Sequence, residues 1–97
     1  MESFNGNFSV LLLEEAKEDL RDMDGAIKRR ILKELKKLQI APKEYGLPLR
    51  GELHGFYKLR VGDYRVVYRV DEEKKYVICL IIQHRRQVYQ EARKRIK

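Results

Sequence analysis

The stretch KLRVGDYRVVYRV, running from Lys58 to Val70, alternates apolar residues with cations: Lys58, Arg60, Arg65 and Arg69. Further on, the segment HRRQVY adds His84, Arg85 and Tyr89. Guanidinium and ammonium groups bind phosphate, an imidazole titrates near neutral pH, and a tyrosine ring can stack on a base. Together these residue types suit the phosphodiester of a nucleic acid. Each also has a plainer use. A cationic strand face discourages edge pairing, His84 can hydrogen-bond at a strand end, and Tyr89 can pack beside Val88.

Positioning these groups falls first to a hairpin. Gly62-Asp63 suits a two-residue type II′ turn, with glycine at the first position. That turn sets Val61 opposite Tyr64, Arg60 opposite Arg65, Leu59 opposite Val66, Lys58 opposite Val67 and Tyr57 opposite Tyr68. Because side chains alternate faces, Tyr57, Leu59, Val61, Tyr64, Val66, Tyr68 and Val70 share a core face. Lys58, Arg60, Arg65, Val67 and Arg69 share the other. Like charges directly opposite each other destabilise a strand pair. At a separation of ~5 Å the Arg60–Arg65 repulsion is about 0.8 kcal/mol in water and about 3 kcal/mol at an effective dielectric near 20. One acidic residue would turn that into attraction, so the pairing is a mark of an anion site.

The remaining elements follow from periodicity. FSVLLL, Phe8 to Leu13, suits a short strand. Ala16, Leu20 and Met23, then Ile27, Ile31, Leu35 and Leu38, recur at helical spacing. The break at DMDGA, with Asp24 as a cap, divides them into two helices. APKEYGLPLRGELHG reads as a turn-rich surface connection. Strands are expected over Phe56 to Val61, Tyr64 to Val70 and Tyr76 to Ile82. The last is apolar on both faces, as a covered central strand would be. Val88, Ala92 and Ile96 mark a short C-terminal helix with a basic outer face. The expected fold class is α+β: an N-terminal strand and helical hairpin packed on a mostly antiparallel sheet, with a short C-terminal helix.

Composition bounds the rest. The chain of 97 residues fits one domain, read here as 1–97, with no linker and no internal repeat. The lone Cys79 sits in the apolar run YVICLII and reads as a buried small hydrophobe. With no disulfide framework, and an N-terminus MESFNGNF that has neither a basic start nor an apolar core, a cytoplasmic location is expected. No apolar run is long enough to span a bilayer. The net charge of +7 favours an anionic partner. All of that excess lies from Lys58 onward, where 12 Lys and Arg face 5 acids, against 10 and 10 before it. Carboxylates cluster in the helices and in DEEKK without metal-ligand spacing, so no metal or cofactor is expected.

YKLRVGDYRVVYRV, the apolar strand after it and HRRQVYQEARKRI, preceded by a helical hairpin, together resemble the RelE/ParE toxin superfamily, and more closely its RelE branch. The likeness covers roughly Phe8 to the C-terminus. It implies a RelE-like fold and the toxin of a type II toxin-antitoxin pair: a ribosome-dependent endoribonuclease that cleaves mRNA in the ribosomal decoding site without a metal. The ribose 2′-oxygen would attack the adjacent phosphate, leaving a cyclic phosphate and a free 5′-hydroxyl. The implied partners are a cognate antitoxin protein, mRNA and ribosomal RNA. Matched by position, Lys58, Arg60, Arg65, Arg85 and Tyr89 fall on the family's site. Arg65 and Arg85 would stabilise the phosphorane, and Lys58, His84 and Tyr89 are the candidates for proton transfer. Some RelE toxins carry lysine where this chain has Arg60, which cannot relay a proton; His84 is the residue that could compensate. Two other readings share the fold: a ParE-like toxin that inhibits DNA gyrase by protein binding, and a noncatalytic RNA-binding module.

Overall fold

The computed structural model describes residues 7–96. Residues 1–6 and 97, which the sequence reading places in the same domain, lie outside the described residues. The chain opens with β1 (Ser9–Leu12), followed by α1 (Glu14–Arg21) and α2 (Gly25–Leu35), which tightens into a 3₁₀ turn at Lys36–Gln39. After α3 (Pro42–Tyr45) come β2 (Leu47–Pro48), a 3₁₀ turn at Gly51–Leu53, β3 (Tyr57–Val61), β4 (Tyr64–Asp71), β5 (Tyr76–His84) and α4 (Val88–Arg95). The five strands form one sheet in the order β1-β5-β4-β3-β2, antiparallel except for the parallel β1–β5 pair. This is the α+β architecture expected. Among the described residues no helix is long and apolar enough to cross a membrane.

Local sequence explains most boundaries. Asp24 caps α2 by accepting a hydrogen bond from the Ala26 N–H at 3.3 Å. Gly62 has φ 59°, while Asp63 has a negative φ, the combination of a type II′ turn. The β3–β4 register follows pair by pair, with Arg60 opposite Arg65 and Lys58 opposite Val67.

The segment expected as a plain surface connection is more ordered than that. Pro42 starts α3 at a position where its missing N–H costs nothing, and it is buried. Leu47 and Pro48 then pair with Lys58 and Tyr57 as an edge strand. Two side chains secure the segment. The buried Tyr68 hydroxyl donates to the Pro42 carbonyl at 2.6 Å, and Gly46 lies so close to that hydroxyl that an added Cβ would overlap it. Periodicity could not reveal this, because two paired residues carry no period.

Both faces of the sheet are covered. On one, α1, α2 and the 3₁₀ turn after α2 bury Leu20, Ile31 and Leu38 against Leu59, Val66 and Tyr68. On the other, α4 buries Val88 and Ala92 against Leu49, Val67 and Ile81. The β4–β5 pairing shifts between Val67 and Tyr68, which face Ile81 and Cys79 and leave Leu80 as an extra residue. Leu80 and Ile81 consequently both join the α4 side. Burying a valine such as Val88 contributes about 1.5 kcal/mol or more. An isolated eight-residue helix is marginal in water, so α4 depends on such contacts.

A part-buried ion pair completes the attachment. β1 pairs with β5 only as far as Cys79, so the β5 edge beyond it lacks a strand partner. Asp19 of α1 accepts from the Ile82 N–H at 2.9 Å and from the Gln83 amide at 2.7 Å. Arg95 of α4 reaches round the same edge, donating to both Asp19 oxygens at 2.8 and 2.9 Å and to the Leu80 carbonyl at 3.1 Å. The fork geometry binds a helix on one face to a helix on the other. The Asp19 carboxylate raises the pKa of the Arg95 guanidinium above its usual value.

Candidate active site

Val67, the one apolar residue that the β3–β4 hairpin sets among Lys58, Arg60, Arg65 and Arg69, is the footing of the site. It lies beside Lys58 across the β3–β4 ladder and packs against α4 with Val88. Val88 therefore sets Tyr89 over Lys58. The Lys58 ammonium donates to the Tyr89 hydroxyl at 2.6 Å, and its nitrogen lies 5.3 Å from the ring centroid. The longer distance is close to the ring-to-hydroxyl length plus the hydrogen bond. The ammonium thus sits beyond the hydroxyl in the ring plane rather than over the ring face.

Arg65 is held at the hairpin turn. Its guanidinium donates to the Gly62 carbonyl at 3.0 Å and to the Tyr64 carbonyl at 2.9 Å. Folding onto the turn is how the chain accommodates the Arg60–Arg65 pairing: partial negative charge on two carbonyls offsets the cation that Arg60 opposes. Arg85 follows the end of β5 and is tied to the same turn. Its N–H donates to the Asp63 carbonyl at 2.7 Å, and its Nε lies 3.8 Å from an Asp63 carboxylate oxygen. Both side chains of that ion pair are more than half exposed, so water screens it and leaves the guanidinium available to an anion.

Lys58, Arg65, Arg85, Arg86, Val88 and Tyr89 line a cleft of about 380 Å³. Four cations and no carboxylate form its walls, in keeping with a polyanionic ligand. Arg60 lies outside this cleft. It lines an adjoining groove of about 260 Å³ with Tyr45 and Leu47, and Lys58 and Arg65 border both spaces.

His84 stands apart. It pairs with Tyr64 across the β4–β5 ladder and therefore projects to the α1 side. There its ring meets the Tyr64 ring edge-on, with centroids 5.5 Å apart, in a pocket that also includes Asp19 and Asp22. Its Nδ1 accepts from the Arg86 N–H at 3.2 Å. A strand expected to end at Ile82 leaves the direction of His84 open; β5 extends to His84 and fixes it. Among the described residues, no three His, Cys, Asp or Glu side chains converge to hold a metal ion.

Two contributions escaped the sequence reading. Arg86 joins the cleft, and its only sequence signal is adjacency to Arg85. Arg95 fixes α4, and its signal was the spacing of Val88, Ala92 and Arg95, which lie on one helix face.

Comparison with known proteins agrees with this fold. A family model described as ParE toxin of type II toxin-antitoxin system, parDE, matches residues 10–89. Toxin RelG of Mycobacterium tuberculosis is 44% identical over 48 residues, which is 50% of this chain and 55% of RelG. Toxin RelE of the same organism is 52% identical over 31 residues, 32% of each chain. The matches thus span about half and about a third of these curated relatives. Among solved structures, a chain of the toxin-antitoxin complex RelBE2 from M. tuberculosis has a TM-score of 0.76 at 32% identity, covering 80% of this chain and 98% of that one. A mutant of the E. coli toxin RelE in the free state has a TM-score of 0.74 at 29% identity, covering 94% and 99%. The family match over most of the chain, with RelE and RelG toxins as relatives, shows that this protein belongs to the ParE toxin family of type II toxin-antitoxin systems, on the RelE-type branch of the RelE/ParE superfamily.

Proposed function

We propose that the protein is an endoribonuclease that cleaves mRNA in the ribosomal decoding site. The observation that carries this reading is the cleft in which Lys58 and Tyr89 are joined by a hydrogen bond among three arginines. Cleavage in this scheme begins with the ribose 2′-oxygen attacking the neighbouring phosphorus. The 5′-oxygen leaves, and the products are a cyclic phosphate and a 5′-hydroxyl. Arg65 and Arg85 offset the charge that grows on the phosphorane, since their guanidinium groups stay protonated throughout. One proton must leave the 2′-hydroxyl and one must reach the 5′-oxygen. Arginine cannot relay either, and His84 projects to the opposite face. The Lys58–Tyr89 pair is therefore the acid side of the transfer: Tyr89 hands its proton to the leaving 5′-oxygen while Lys58 replaces it through the existing hydrogen bond. The 2′-hydroxyl gives its proton to solvent water as its oxygen attacks, and a proton from water afterwards restores Lys58.

In this reading the protein acts in the cytoplasm, where it meets ribosomal RNA and translated mRNA. A cognate antitoxin would silence it by placing an acidic, partly helical segment over the basic cleft. The test is cleavage of translated mRNA on purified ribosomes by the natural protein, Arg65→Ala and Arg85→Ala. Each substitution is expected to lower the rate by about 10²- to 10³-fold; equal activity in all three overturns the assignment. Inhibition of DNA gyrase supercoiling without mRNA cleavage would select the ParE-like activity instead.

A further inference from the structure

The groove beside the cleft is built for something other than a phosphate. Its floor carries Arg60, Lys58 and Arg65, and its far wall is Tyr45 with Leu47. Tyr45 is 51% exposed and Leu47 65% exposed, so both are accessible to a ligand beside the three cations. Neither belongs to a loose loop. Leu47 pairs with Lys58 across the β2–β3 ladder, so the two side chains share a sheet face. Between them, Gly46 is pressed against the buried Tyr68 hydroxyl, which in turn holds the Pro42 carbonyl. The Lys37 ammonium, paired with Glu34 at 3.0 Å, lies 5.8 Å from the Tyr45 ring centroid, within cation–π range. An exposed aromatic ring on a secured backbone segment beside a track of cations is the arrangement by which proteins hold an unpaired base next to its phosphate.

We propose that Tyr45, beside Leu47, is a stacking subsite for the nucleobase adjoining the phosphate that Arg65 and Arg85 hold. The proposal rests on the ribonuclease reading and adds a positioning residue to it. Because Lys58 and Arg65 border both spaces, a strand with its scissile phosphate in the larger cleft continues directly past Arg60 to Tyr45. Stacking there fixes the strand's path, and so the aim of the 2′-oxygen.

The experiment uses ribosomes programmed with mRNA and compares the natural protein with Tyr45→Ala, Tyr45→Phe and Arg85→Ala. A second set of mRNAs carries a 2′-deoxy sugar at the attacking ribose, so that the strand stays whole, and 2-aminopurine at each flanking position in turn. Tyr45→Ala should lower kcat/KM roughly 5- to 150-fold, the effect of losing one stacked base, while Tyr45→Phe stays within about twofold. Fluorescence quenching at one flanking position should be present with the natural protein and Tyr45→Phe and lost with Tyr45→Ala. Cleavage by Tyr45→Ala at the natural rate, with Arg85→Ala inactive, overturns the subsite and leaves the ribonuclease reading standing. If the natural protein does not cleave, the ribonuclease reading falls. Quenching that depends on Tyr45 then supports the subsite in a noncatalytic RNA-binding module, and its absence overturns the subsite as well.

Discussion

Asp19 and Arg95 offer a test of how the C-terminal helix, and with it Tyr89, is held in place. The Asp19 and Arg95 side chains are only 7% and 11% exposed. Replacing Asp19 with alanine leaves the guanidinium without its two main contacts and removes the acceptors of the Ile82 N–H and the Gln83 amide. Arg95 keeps its ion pair with Glu91 at 3.0 Å, so its charge is not stranded; the loss of the Asp19 arm together with two stranded N–H donors should cost about 3–5 kcal/mol in all. Arg95→Ala is milder, because Asp19 keeps two of its donors; about 2–3 kcal/mol is expected. In urea, with an m-value near ~2 kcal/mol/M, the midpoint should fall by about 1.5–2.5 M for Asp19→Ala and about 1–1.5 M for Arg95→Ala. The double variant should lose at least ~1 kcal/mol less than the sum of the two, since the same contact cannot be lost twice. Circular dichroism through the urea transition reads all three. A cost below ~1 kcal/mol for Asp19→Ala, or a larger cost for Arg95→Ala than for Asp19→Ala, would refute this account of the clip.

Two further outcomes follow from the core. Gly46→Ala should cost about 1–3 kcal/mol, lowering the thermal midpoint by roughly 4–20 °C, because the new methyl group meets the buried Tyr68 hydroxyl; an unchanged melting curve would show that the segment can move aside. Burial pushes the Cys79 thiol up to about 12. It should therefore stay protonated and unlabelled by a thiol reagent at pH 8 in the native protein and react fully in denaturant, and rapid labelling of the native protein would contradict its placement.

Much of the fold was legible because it is local. The Gly-Asp turn set the register of β3 and β4, and alternation then assigned each residue of that hairpin to its face. Helical spacing located α1, α2 and α4, and Asp24 marked the division between the first two. The short β2 strand was not legible, since pairing two residues depends on Gly46 fitting against a tyrosine far along the chain. The extension of β5 to His84 was missed for a related reason: its ladder with β4 continues through polar residues that carry no strand pattern.

The candidate site divides in the same way. Residue types and alternation were enough to bring Lys58, Arg60 and Arg65 to one face, because a strand's period is a property of the backbone. Whether distant residues join them depends on packing. Val67 anchors Val88 and so draws Tyr89 to Lys58, while the strand register turns His84 away to the opposite face. Arg60 was expected with the others, yet it opens onto a neighbouring groove where Tyr45 stands. The sequence by itself determined the charge of the face and the chemistry available to it. Only the tertiary structure decided which of those groups share a cleft, because that choice rests on long-range contacts whose partners no local pattern specifies.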